Sequence, residues 1–325
     1  MKLRQPPEWA KHEWVWIGFP SHADLWEEDL EPARAEVAAF AAAVHANGEG
    51  EEVRLVVADP QSARAAALLA PFASIVEEPF GDIWLRDTGP IIVGSGLLRG
   101  AASFRFNGWG GKYDLEGDDS IGARLAHTAG LEPERHDWIL EGGAIDADGT
   151  GLLVTTEQCL LNPNRNPGMS RADVEARLRA ALGAESILWL GNGLLNDHTD
   201  GHVDNLARFV GENRLALPMA TGQGDPNGGV YEDARVRAKA FGVEVVDIPS
   251  PGLVLRDGEI VPASYMNFYV GNAAVVIPVY GAPNDAAAVE AIGALFPGRE
   301  AVGLRADHIL TGGGSFHCIS QQVPA

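Results

Sequence analysis

The chain has 325 residues, 46% of them apolar, enough to bury a sizeable core, and its 45 acidic against 24 basic side chains leave a formal charge of −21. That balance argues against nucleic acid and anionic membrane surfaces as partners and attracts small cations. Two cysteines make no disulfide framework, no run of about 18 apolar residues offers a membrane span, and the first nine residues hold no secretory core, so a cytoplasmic protein is expected.

Short β-branched stretches alternate with Ala- and Arg-rich helical ones. A strand is expected at 14–20, a helix at 31–46, a strand at 53–58 and a helix at 61–69. Further helices are expected at 120–129, 171–182, 232–241 and 284–295. The N-cap residues Asp118-Asp119-Ser120, Ser170 and Asn284-Asp285 open the first, second and last of these. Strands are expected at 187–190, 243–248 and 275–279. Gly94-Ser95-Gly96, Asp148-Gly149, Gly211-Glu212-Asn213 and Gly271-Asn272 carry the chemistry of tight hairpins, at intervals of about 55–65 residues. The repeat reads as a ββαβ-type module, with the strand near residue 14 opening a fifth copy. No Pro/Ser-rich linker divides the chain, so a single α/β domain over 1–325 is expected, its motif-bearing turns converging from distant positions. Assembly into a homo-oligomer is left open.

Six stretches can carry chemistry. Trp84-Leu85-Arg86-Asp87 sets an aromatic face beside a carboxylate, a cradle for a flat cation; a structural Arg86–Asp87 ion pair is the alternative. Asn107-Gly108-Trp109-Gly110-Gly111-Lys112 reads as a lid or pocket wall, or as a tight turn with a packed Trp109. Glu141, before Gly142-Gly143, points into a cleft or simply ends a strand. Cys159, followed by Leu160-Leu161, is expected to be buried and inert. His198, Asp200, His202 and Asp204 alternate, and on a strand all four would share one face. They read as metal ligands, as an acid/base His202 with a substrate-binding carboxylate, or as a polar strand edge. Cys318 follows Gly312-Gly313-Gly314, a backbone that can approach a ligand closely at Gly313, and reads as a nucleophile or as a small core residue. A thiolate nucleophile needs a base rather than a metal, which favours the acid/base reading of His202.

Together these stretches resemble the agmatine deiminase family (Porphyromonas-type peptidylarginine deiminases) of the guanidino-group-modifying superfamily, from Pro7-Glu8-Trp9 to Ser320-Gln321-Gln322. The resemblance rests on the order Asp82-Ile83-Trp84-Leu85-Arg86-Asp87, Leu140-Glu141-Gly142-Gly143, Thr199-Asp200-Gly201-His202-Val203-Asp204-Asn205 and Gly312-Gly313-Gly314-Ser315-Phe316-His317-Cys318. Asn162-Pro163-Asn164-Arg165-Asn166 and Ser264-Tyr265-Met266-Asn267 support it. It implies a pseudo-fivefold α/β propeller (pentein) of ββαβ modules around a central active site. It also implies hydrolysis of agmatine to N-carbamoylputrescine and ammonia through a covalent amidino-cysteine, with no metal or organic cofactor. Cys318 would be the nucleophile and His202 the general acid/base. Asp87 and Asp204 would clamp the guanidinium, Glu141 would pair with His202 and substrate, and Trp84, Trp109 and Gly313 would line the pocket. Arginine or peptidyl-arginine is the alternative substrate, whose carboxylate would call for a cation, with Arg105 the candidate. A metal-dependent hydrolase using His198, Asp200, His202 and Asp204 is the alternative from another class.

Overall fold

Apolar runs too short for helices and too uniform for a one-sided sheet make strands covered on both faces. The computed structural model, which describes residues 3–222 and 224–325, builds five small sheets from such runs. Leu152–Thr156 is buried along its whole length, and Ala274–Val279 along all but its last residue.

Four sheets follow one plan. In the second, Ile91–Val93 runs antiparallel to Gly100–Arg105, and helix Ile121–Thr128 returns the chain to Pro133–Ile139, parallel to Gly100–Arg105. The third uses Ile145–Ala147, Leu152–Thr156, helix Arg171–Leu182 and Ser186–Leu190. The fourth uses Arg208–Gly211, Arg214–Met219, helix Gly228–Phe241 and Glu244–Pro249. The fifth uses Tyr269–Val270, Ala274–Val279, helix Asp285–Gly293 and Glu300–Arg305. The first sheet joins the two ends of the chain. Ser320–Pro324 runs antiparallel to His12–Gly18, which lies parallel to Glu52–Val57 across helix Leu30–His45; helix Pro60–Leu69 then adds Ser74–Glu77. Helix Leu30–His45 buries Ala33, Val37, Phe40, Ala41 and Val44, one stripe of its surface.

All four expected hairpins form, and the expected helices lie within a few residues of those observed, the one expected at 232–241 starting a turn earlier at Gly228. Of the expected caps only Ser170 works through its side chain, in a reciprocal capping box with Asp173. Asp118 reaches instead to the Gly81 amide (2.7 Å), and Asn284 donates to the Ser250 carbonyl (2.8 Å). A two-stranded hairpin, Leu255–Arg256 with Glu259–Ile260, was not expected. No helix among the described residues is long and apolar enough to cross a membrane.

The consequence for function lies in the connections. Each of the five segments 78–90, 140–144, 191–207, 250–268 and 306–319 leads from the last strand of one sheet to the first strand of the next. Every motif read as chemically active, apart from the Trp109 loop and Cys159, falls in one of them.

Candidate active site

Gly312 and Gly314 carry the chain over the ring of Trp84. A Cβ would stand 2.4 Å from Trp84 at position 312, and 2.7 Å from Trp84 and 3.0 Å from the Cys318 sulfur at position 314. Trp84 is held by its indole N–H to Asp82 (2.6 Å) and stacks on Trp26, whose own N–H takes the other Asp82 oxygen (2.9 Å). Behind the glycines, Cys318 is nearly buried. Asn267 Nδ2 donates to its sulfur (3.0 Å), and the thiol faces Asp204 Oδ2 at 3.4 Å. Asn267 Oδ1 accepts the backbone amides of Ser315, His317 and Cys318, so one buried side chain from the neighbouring connection sets the curve of the nucleophile loop.

Asp87 sits in the helical turn Leu85–Thr88. Its Oδ1 accepts the Gly143 amide (2.9 Å), its Oδ2 accepts the Trp109 indole N–H (2.9 Å), and His202 Nδ1 lies 3.6 Å away. Gly143 marks the point of convergence. A Cβ there would lie 2.6 Å from His202 Nδ1, 2.7 Å from Asp87 Oδ1 and 3.1 Å from Asp204 Oδ2, so only glycine fits. Asp204 is anchored from below: its Oδ2 accepts from His317 Nδ1 (2.8 Å), and His317 Nε2 lies 2.8 Å from Glu8 Oε2. Arg208 (2.9 Å) and Arg86 (3.4 Å) hold the same Glu8 oxygen. Arg86 thus turns away from Asp87, so the alternative Arg86–Asp87 ion pair does not form.

Burial and charge set the protonation states. Burial, with Asp204 and Glu141 nearby, lifts the Asp87 carboxyl to about 6 against the pull of His202 and Trp109. Burial also opposes charge on Asp204, but His317 outweighs it and keeps that carboxyl below its ordinary value. Burial opposes the His202 imidazolium too, yet Asp87, Cys159 and Glu141 hold its pKa well above the usual value. Cys318 goes the other way: burial, then Asp204 and Asp87, push its thiol well up. The free site therefore holds a protonated imidazole beside a neutral thiol.

Three expectations meet a different arrangement. Glu141 is fully buried, but its Oε1 accepts from Arg165 Nε (2.6 Å), a charge-assisted bond, and no direct Glu141–His202 hydrogen bond forms. The segment 198–204 is not a strand. Asp197 accepts the Thr199 amide and hydroxyl, Asp200 and Gly201 take positive φ, and the four alternating side chains part company. His198 is exposed beside Tyr113, while Asp200 binds Lys112 (2.7 Å), Asn164 (2.9 Å) and Arg165 (2.6 Å). The metal site read from His198, Asp200, His202 and Asp204 is thereby overturned. Arg105 is exposed, paired with Asp137, and does not line the pocket.

The pocket in front of Cys318 encloses about 290 Å³ and is walled by Trp84, Trp109 and Gly313. Among the described residues it is lined by five carboxylates, Glu27, Glu28, Asp29, Asp82 and Asp87, and by no Lys or Arg. The residues missed in the sequence are Glu8, Arg165, Asn267 and His317. The last three sit inside or beside motifs already singled out, and all four are buried polar groups.

Repeated modules that bring a thiol and carboxylates to one acidic pocket, with a buried imidazole against them, make this an α/β enzyme with a cysteine-centred site. Its fold is shared with DDAH from Pseudomonas aeruginosa (TM-score 0.50, 12% identity, 96% of this chain and 99% of that one), a likeness of fold alone. More narrowly, the family model described as Porphyromonas-type peptidyl-arginine deiminase matches residues 4–324, and the chain belongs to that family. It is 38% identical to agmatine deiminase of Stutzerimonas stutzeri, over 98% of this chain and 95% of the relative. The solved agmatine deiminase of Enterococcus faecalis superposes with a TM-score of 0.92 at 31% identity, over 99% of this chain and 96% of that one. Membership sets the chain among hydrolases of carbon–nitrogen bonds.

Proposed function

We propose that the protein hydrolyses agmatine to N-carbamoylputrescine and ammonia through an amidino adduct on Cys318. The observation that carries this reading is the pocket lining, five carboxylates with no Lys or Arg among the described residues. Agmatine joins a guanidinium to a primary ammonium through four methylenes, and an acidic pocket balances both charges. The carboxylate of arginine, free or as part of a peptide's backbone end, meets no cation there. The relatives that carry the name agmatine deiminase support the same choice.

Asp87 and Asp204 take the guanidinium N–H groups in plane, and the Trp84 face meets the cation. The arriving positive charge offsets the two carboxylates that keep Cys318 neutral, so the thiol loses its proton to solvent when substrate binds. The thiolate attacks the guanidinium carbon, and the tetrahedral adduct takes a proton from the His202 imidazolium as ammonia leaves. Neutral His202 then takes a proton from water as its oxygen attacks the amidino carbon, and the urea product departs from the thiol. Glu141, within 4.8 Å of His202, adds negative charge that favours the imidazolium. The five equivalent connections support a pseudo-fivefold α/β propeller around this site, with 1–325 as one domain.

A panel of guanidines tests the proposal by ammonia release and by intact mass. Agmatine should be turned over far faster than arginine, and trapping should leave an amidino mass on Cys318. Equal turnover of the two would remove the agmatine assignment, and an adduct on Cys159 would overturn the site.

A further inference from the structure

A second thiol lies against this site and has no part in the reaction above. Cys159 lies in the helical turn Glu157–Leu160 that follows strand Leu152–Thr156, its amide capped by Thr156 Oγ1 (3.3 Å). Its sulfur, a carboxylate oxygen of Glu141 and a ring nitrogen of His202 all lie within 4.8 Å of one another, and none of the three residues is exposed to solvent. Arg165 occupies only one oxygen of Glu141. Oε2 of Glu141 and both ring nitrogens of His202 have no hydrogen-bond partner among the described residues. Buried polar atoms are ordinarily paired, so a carboxylate with a free oxygen and an imidazole without a hydrogen bond, both beside a buried thiol, mark a place where a ligand is favoured.

We propose that Glu141, Cys159 and His202 form an inhibitory site for a zinc-like divalent cation. One thiolate, one imidazole and one carboxylate are the donor set of borderline-soft metals. On zinc, with bonds of about 2.0–2.3 Å, such donors stand roughly 3.3–3.8 Å apart, so the three side chains close on the ion by a shift on the order of an ångström. Binding displaces the protons of the Cys159 thiol and the His202 imidazolium to solvent, and the resulting thiolate offsets the ion's charge together with Glu141. Arg165, on the other Glu141 oxygen, opposes it, and part of its charge is met by Asp200 (2.6 Å) and the Thr199 carbonyl (2.8 Å). The bound ion takes the lone pair of His202 and so withholds the proton that the departing nitrogen needs, without touching Cys318. That consequence rests on the reaction proposed above; the metal site itself does not.

The test uses the full-length protein and the metal alone. Cobalt(II) added to C318S should give a thiolate-to-metal absorption band in the near ultraviolet, and C159S should lack it. Should C159S fail to fold, adding His202→Asn to the C318S protein should abolish the band. In parallel, zinc should inhibit the wild-type enzyme reversibly by chelator, and C159S, measured against its own zinc-free rate, should need roughly tenfold more zinc or beyond. A band that requires Cys318 rather than Cys159, no band in either variant, or equal zinc sensitivity of C159S would each overturn the site. Failure of the agmatine assignment leaves the cobalt band intact, so the two outcomes are separable.

Discussion

Asp87 answers to groups that pull its charge in opposite directions. Burial, Asp204 and Glu141 raise its carboxyl to about 6, while His202 and Trp109 restrain it. A guanidinium binds the ionised form, so kcat/KM of the free enzyme should rise as pH passes about 6 and fall below it. Asp87→Asn should abolish that acid limb and lower kcat/KM on the order of 10²–10³-fold, the scale of one lost charge-stabilising contact. An unchanged limb in the variant would assign it elsewhere. His317 is a positioning residue for the second carboxylate. With His317→Gln, Asp204 loses the partner that keeps its carboxyl low, so its pKa rises and more of the clamp is protonated at a given pH. KM should rise more than kcat, and the acid limb should move to higher pH; a loss of kcat alone would count against this role. Cys318, His202, Asp87 and Asp204 were legible in the sequence because reactive residue types stand beside glycines in short motifs. Glu8, Asn267 and His317 were not, because what they do is cross between modules: Glu8 and His317 meet across 309 positions of chain.

At the scale of elements, the nucleophile loop depends on three glycines, and at Gly314 the reason is close approach rather than a positive φ. Gly314→Ala places a methyl carbon within 2.7 Å of Trp84 and 2.9 Å of the Cys318 Cβ, so either the loop or the indole must move. kcat/KM should collapse while circular dichroism and the thermal midpoint stay near those of the parent, since the displaced atoms border a cavity; a fully active variant would show that the loop tolerates the shift. Ser170 offers the opposite contrast. Its capping box lies at the start of helix Arg171–Leu182, on an exposed surface outside the pocket lining, so Ser170→Ala should cost about 1 kcal/mol of stability in denaturant unfolding and leave kcat/KM unchanged. The segment 198–204 shows how element reading fails. Alternating His and Asp satisfy the period of a strand, but the Asp197 side chain captures the amide two residues on, and Asp200-Gly201 turn through positive φ. Local turn chemistry wins where no neighbouring strand offers a ladder of hydrogen bonds.

At the scale of the whole molecule, a charge of −21 surrounds a pocket lined by carboxylates. A dication should be drawn in by that field, so kcat/KM for agmatine should fall as salt rises from about 0.01 M to 1 M, over which the screening length shrinks from about 30 Å to about 3 Å. kcat, measured at saturation, should change much less. A salt-independent kcat/KM would mean that the surface charge serves solubility alone.

The amino-acid sequence by itself determined the parts. Apolar β-branched runs, Ala-rich helices and Gly-centred hairpins recur because each is dictated within a dozen residues by propensity, period and turn chemistry. The same local logic exposed the thiol, the imidazole and the carboxylates. Only the tertiary structure decided their relations. It brought five connections to one place, closed the first sheet with the last strand of the chain, and turned Arg105 outward. It also tied Glu141 to Arg165 in place of His202, and set Cys159 against the imidazole. The physical reason is that charge, burial and pairing are properties of neighbours in space: an Asp paired with His317 is a low carboxyl, and one whose burial outweighs its partners is a raised one.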